Sequence, residues 1–105
     1  AEVLEIKGDR KGIGYRDIPF DQVFTSQIIE VRDGCGFYMS SDGLIDQVGG
    51  ERRRSFGKKR FKAMIQNIRD KPMSKQRGVI FNALEDYQGS EKRRDDVVII
   101  GFKVL

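Results

Sequence analysis

Phe61, Met64, Ile65 and Ile68 stand at i, i+3, i+4 and i+7, and Ile80, Ala83, Leu84 and Tyr87 repeat that kind of spacing one segment later. Each set puts an apolar stripe along one side of a helix. This pair of stripes constrains the chain most, because the segments on both sides of it have the patterning of strands. Pro72 lies between the stripes and ends the first helix, Ser74 is the expected N-cap of the second, and Gly89-Ser90 stops it. Downstream, residues 97–100 (VVII) form a β-branched run, read as a fully buried strand continued by Phe102 and Val104. Upstream, residues 23–31 (VFTSQIIEV) alternate like a half-buried strand. Arg32-Asp33-Gly34 turns the chain, and residues 36–40, with the apolar run Phe37-Tyr38-Met39, return to complete a hairpin. Val3, Leu4 and Ile6 begin a short strand ended by Gly8-Asp9, Ile13-Gly14-Tyr15 continues it, and Pro19 makes residues 16–20 loop or edge strand. Strands, then two antiparallel helices, then a last strand predict an α+β fold: an antiparallel sheet with the helix pair packed on it.

With 105 residues, of which 38% are apolar, the chain has material for one modest core and one domain. No apolar run approaches the roughly 20 residues that cross a bilayer, and no signal-peptide pattern opens the chain. The first residues, AEVLEIKG, already alternate like a strand, which suggests a piece of something longer. The single cysteine, Cys35, leaves no internal disulfide, reads as a buried structural thiol and fits a reducing compartment. Histidine is absent, which excludes histidine triads, histidine general bases and ordinary histidine-bearing zinc sites. Any chemistry here rests on carboxylates, lysine or a bound metal. The net charge of +4 is concentrated in Arg52-Arg53-Arg54 and Lys58-Lys59-Arg60. Such a cluster could hold a phosphate backbone, but no recognition motif or series of stacking aromatics accompanies it, so it is read as a solvated loop and helix start.

Asp42 stands where the apolar run 37–39 leaves the core, with Gly43 directly after it, and Asp95-Asp96 stand at the entrance to the last strand. If those two strands share a sheet, their acid-bearing ends can meet. Two convergent carboxylates without histidine form a hard-oxygen site that suits Mg²⁺ or Mn²⁺ better than zinc, and a divalent cation relieves their mutual repulsion. The alternative is structural: Asp-Gly is a common turn dipeptide, and Asp95-Asp96 beside Arg93 and Arg94 could simply cap a strand. Spacing alone leaves both open.

The run SSDGLIDQVGG, then FGKKRF opening a helix, then RRDDVVIIGFKV at the end resembles the C-terminal half of the PPM-type metal-dependent serine/threonine phosphatases, in the bacterial branch named after stage II sporulation protein E. The resemblance implies part of a sandwich of antiparallel sheets flanked by helix pairs, with a two-metal Mn²⁺ or Mg²⁺ centre at one end. On this resemblance Asp42 and Asp95 are metal ligands, Gly43 permits a tight turn beside the metal, Asp46 has an outer-sphere or helix-start role, and Asp96 a supporting or turn role. No catalytic residue beyond the ligands is implied, because a metal-activated water attacks the phosphorus in line. The resemblance also implies that residues 1–105 are the C-terminal portion of one phosphatase domain whose N-terminal half is absent, and that this portion is inactive by itself. The expected substrate is a phosphorylated regulatory protein such as an anti-sigma-factor antagonist in bacterial signalling. The expected setting is the cytoplasm, including as the cytoplasmic domain of a membrane-anchored sensor, with no nucleic-acid or membrane contact by this portion and with homo-oligomerisation through exposed sheet edges. A non-catalytic protein-binding module on the same scaffold is the alternative.

Overall fold

The computed structural model describes residues 3–8, 21 and 23–105. Its elements are strand β1 (Gly36–Ser40), the single-turn helix α1 (Asp42–Ile45), the short strands β2 (Val48–Gly49) and β3 (Arg54–Ser55), the helices α2 (Gly57–Ile68) and α3 (Met73–Gln88), and strand β4 (Ile99–Lys103). The class is α+β, as expected, with small antiparallel sheets and a helix pair.

Both helices use the faces their spacing predicts. Ile65 and Ile68 of α2 are buried with Phe61 and Met64 half-buried, while Leu84 of α3 is buried with Ile80, Ala83 and Tyr87 half-buried. Leu44, Phe56 and Leu84 form the core cluster, against which Phe61, Met64, Tyr87, Val97 and Ile99 pack. Phe56 meets Tyr87 edge to face, with ring centroids 5.1 Å apart. Helix α3 begins two residues earlier than predicted. Pro72 takes the N-cap position with extended backbone, and its carbonyl accepts the N–H groups of Lys75 and Gln76, so Ser74 lies within the first turn. The buried Gln76 side chain accepts from the Tyr38 hydroxyl and donates to the Lys71 carbonyl, tying β1 to the link between the helices.

The strand pairing differs from the predicted hairpin. The turn at residues 32–35 forms, with Gly34 at φ +81° and Cys35 N–H donating to the Arg32 carbonyl. Residues 23–31, however, are not a strand, and Val23 and Ile28 are among the most exposed apolar side chains. β1 pairs antiparallel with β4 instead, in a register that opposes Phe37 to Phe102 and Ser40 to Ile99. Cross-strand contacts between apolar side chains support this pairing: Phe37 and Phe102 stack with ring centroids 5.2 Å apart, and Met39 opposes Ile100. Gly34 and Val104 extend the ladder past the turn.

The last strand is not fully buried. Val98, Ile100 and Phe102 are exposed, and so is Met39 opposite them on β1. The ribbon has two strands: Tyr38 and Gly101 face Met73 and Gln76 of α3, while the opposite, apolar face meets no layer among the described residues. Residues 3–8 are not a strand either. Leu4 is exposed, and Glu5 forms ion pairs with Lys58 and Lys62 of α2, so the segment lies along a helix rather than in a ladder. Asp9, residues 13–15 and residues 16–20 lie outside the described residues. Cys35 is free and half-buried rather than buried. Two elements had no counterpart in the sequence reading, α1 and the β2–β3 hairpin.

Candidate metal centre

Antiparallel pairing of β1 with β4 sets the end of one strand beside the start of the other. Ser40 pairs with Ile99, so the chain leaving β1 toward Asp42 runs next to the chain that enters β4 from Asp95 and Asp96. Beyond the last strand pair, Ser41 continues the junction. Its N–H donates to the Val98 carbonyl at 2.9 Å, its Oγ accepts the Val98 N–H at 2.9 Å, and the same hydroxyl donates to the Asp96 carbonyl at 3.2 Å. Ser41 occupies the N-cap position of α1 without a side-chain cap bond, because its hydroxyl is committed to the other segment.

Gly43 completes the contact. A Cβ at that position would sit 2.1 Å from the Asp96 carbonyl oxygen and 3.1 Å from a Val97 methyl. The sequence reading attributed this glycine to a tight turn, but Gly43 is a buried residue of α1 without positive φ. Its lack of a side chain serves the close approach of the Asp96 backbone.

The two acid-bearing turns thus touch at the same end of the ribbon. Asp42 is the first residue of α1 and exposed, and its carboxylate has no hydrogen-bond or ion-pair partner among the described residues. Asp95 is exposed, and its Oδ1 accepts the N–H of Asp96 at 2.8 Å, which folds the entrance to β4 into a turn. Asp46 lies at the end of α1, where its N–H donates to the Asp42 carbonyl; it closes that helix rather than opening one. Carboxylate oxygens are the donor type that fits Mg²⁺ or Mn²⁺. Among the described residues no group of three or more acidic or sulfur ligands gathers.

Sequence reasoning overlooked two residues here. Ser41 staples the two turns, and the signal for it was the hydroxyl that begins the Ser-Asp-Gly motif. Gln47 is fully buried and donates to the carbonyls of Val48 and Lys92, which anchors the segment leading to Asp95. A buried glutamine just after an apolar helix turn carries no such signal in sequence.

An α+β segment whose strand pairing brings a Ser-Asp-Gly turn against an Asp-Asp strand entrance has the makeup of a PPM-type phosphatase domain. The chain belongs to the Stage II sporulation protein E family, whose sequence model matches residues 10–105. Among solved structures it is similar to the SiaA-PP2C domain of Pseudomonas aeruginosa, with a TM-score of 0.76 and 32% sequence identity. That match covers 80% of this chain and 34% of the other, so the chain spans about a third of the length of the domain it resembles. No curated protein matches. PPM-type phosphatases depend on metal ions. No helix among the described residues is long and apolar enough to cross a membrane.

Proposed function

We propose that this chain supplies one side of the metal centre of a serine/threonine protein phosphatase, with Asp42 and Asp95 as the ligands it contributes. The observation that carries this reading is the packing of Gly43 directly on the Asp96 backbone, which keeps the two acid-bearing turns in contact. A structural cap at either turn would not require the other to lie against it. Ser41 holds the two turns in register, and Asp96 shapes the strand entrance through its backbone. Bound Mn²⁺ or Mg²⁺ would neutralise phosphoryl-oxygen charge and lower the pKa of water. The chain's own residues would orient the ions and leave the mouth open to a phosphoserine or phosphothreonine side chain. In this reading the substrate is a phosphorylated regulatory protein such as an anti-sigma-factor antagonist, the setting is the cytoplasm, and the remaining ligands come from outside residues 1–105.

The test is hydrolysis of a phosphoserine peptide against Mn²⁺ concentration, by a complete domain containing this segment, with and without Asp42→Asn. The reading expects metal-dependent turnover that the substitution abolishes, and no turnover by the 105-residue chain alone. Metal-independent binding of the peptide, unchanged by Asp42→Asn, would favour a non-catalytic binding module. Turnover by the short chain at a rate near that of the complete domain would contradict the reading.

The uncovered ribbon face leads to a second expectation. Met39, Val98, Ile100 and Phe102 form an exposed apolar stripe on a two-stranded sheet, a surface that water does not favour. The isolated chain is expected to self-associate through this face, and Ile100→Lys to shift it toward monomer in sedimentation velocity. A monomer at all concentrations before substitution would contradict this.

A further inference from the structure

The basic cluster noted in the sequence is divided by the fold, and only part of it remains available. Lys58 pairs with Glu5, and Arg60 donates to the carbonyls of Ser55 and Phe56 while lying 5.1 Å from the centre of the Tyr87 ring. The other arginines, on the β2–β3 turn, meet a second basic run. Arg53, Ser90, Glu91, Lys92, Arg93 and Arg94 line an open cleft of about 680 Å³. On the other side of the same turn, Arg52, Arg54 and Arg60 with Glu51 and Tyr87 line a second cleft of about 360 Å³.

The walls are built rather than loosely assembled. Gly50 N–H donates to the Tyr87 carbonyl, the Tyr87 hydroxyl donates to the Arg54 carbonyl, and a Cβ on Gly49 would lie 1.8 Å from the Tyr87 carbonyl oxygen. The turn therefore rests directly on the end of α3. Across the larger cleft, Arg53 Nε donates to Glu91 at 2.6 Å. Arg93 is held by Gln88 and Glu85, and Gln47 fixes the Lys92 carbonyl. Glu91 and Glu85, the acids that contact the larger cleft's arginines, are thus already engaged. The side chains of Arg52, Arg54 and Lys92 have no partner among the described residues, and Arg94 has only the distant field of Glu91.

From this excess we infer that the β2–β3 turn, with a cleft on either side of it, is a docking surface for an acidic segment of a protein partner. Arginine forks match carboxylates in paired geometry, and several along one surface favour a chain of Asp and Glu over a single small anion. Nucleic acid fits less well because Tyr87, the one aromatic residue lining the two clefts, is already engaged by Phe56 and Arg60. Arg94, in the lining of the larger cleft, directly precedes Asp95 in the chain. Resting on the phosphatase reading, the acidic segment is then the part of the substrate that flanks its phosphorylated residue.

The experiment is fluorescence anisotropy of the 105-residue chain with three labelled probes: a peptide alternating aspartate and serine, the same peptide with asparagine for aspartate, and a single-stranded RNA of similar length. The inference expects the acidic peptide to bind, added salt to weaken it, and the neutral peptide to bind at least about tenfold more weakly. Reversal of both Arg52 and Arg94 to glutamate is expected to weaken the acidic peptide at least about tenfold, whereas Lys59→Glu on α2, outside both clefts, leaves it unchanged. Equal binding of acidic and neutral peptides by the unaltered chain overturns the inference, as does RNA binding tighter than the acidic peptide, or equal loss with Lys59→Glu. The peptide comparison on the unaltered chain decides the question even if the double reversal disturbs folding. No catalysis enters these measurements, so their failure leaves the phosphatase reading standing, and loss of that reading leaves the docking surface intact.

The Arg53–Glu91 pair of the larger cleft has a pH signature. The hydrogen bond and charge of Arg53 hold the Glu91 carboxyl below its ordinary value of 4.5. A depressed carboxylate contributes to the folded arrangement above its ordinary pKa and stops contributing as pH falls through the lowered value. In a carboxyl-carbon NMR titration, Glu91 is expected to titrate below 4.5 and to return toward it in Arg53→Gln. An unmoved midpoint would show that the pair does not persist in solution.

Discussion

Asparagine in place of Asp95, in a complete domain that contains this segment, is expected to lower metal-dependent phosphate-ester hydrolysis on the order of a thousandfold. The magnitude follows from what the carboxylate is proposed to do. A metal ion contributes several kcal/mol of charge stabilisation at a phosphoryl group, and each 1.4 kcal/mol is about tenfold in rate. An asparagine keeps the size of the side chain but removes the anionic oxygen that a hard cation prefers. Because Asp95 is exposed and its Oδ1 accepts only its neighbour's N–H, the exchange should leave the fold intact. The check is kcat/KM on a phosphoserine peptide at saturating Mn²⁺, beside a thermal melt. A variant that melts normally and turns over within a few-fold of the unaltered domain would remove Asp95 from the centre.

The second large effect concerns stability. Gly43→Ala should destabilise the chain by about 3 kcal/mol or more, at or above the usual cost of overpacking a core. The methyl group would lie 2.1 Å from the Asp96 carbonyl oxygen. Backbone cannot swing aside as a flexible side chain would, so the two turns must separate, breaking the Ser41 bonds to Asp96 and Val98 as they part. Urea denaturation followed by circular dichroism measures the loss. Stability within about 0.5 kcal/mol of the unaltered chain, the range of an ordinary surface substitution, would mean that the turns do not pack as described. In the complete domain the same substitution should reduce activity, since it displaces both acids together.

The helices were legible because their signal is periodic and local. Ile65, Ile68 and Leu84 are buried where a 3.6-residue repeat places them, and Pro72 and Gly89 bound α3. Strand partners were not legible for residues 23–31, whose alternation describes a strand that could pair with anything. The pairing of β1 with β4 joins residues far apart in the chain, Phe37 with Phe102 among them, which no local pattern encodes. For the same reason the run at 97–100 read as buried on both faces. β-branched residues predict a pleated, apolar environment, but only the layers around a strand decide whether Val98 and Ile100 are covered.

The acids were legible as candidates because each stands at a strand end. Their meeting depended on the β1–β4 pairing, and Ser41 and Gly43 gained their roles only once that pairing was known. The basic residues show the reverse. Arg52, Arg53 and Arg54 looked like one solvated run, yet the β2–β3 turn sends Arg53 to one cleft and its neighbours to the other.

Paramagnetic Mn²⁺ titrated into the isotopically labelled chain tests the shared mouth most directly, because it broadens nearby amides even when binding is weak. The account predicts that the amides of Asp42 and Gly43 and those of Asp95 and Asp96 broaden together at the lowest additions, and that Asp95→Asn protects both groups. Broadening confined to one turn, or first appearing at acids elsewhere while these two turns stay sharp, would contradict it.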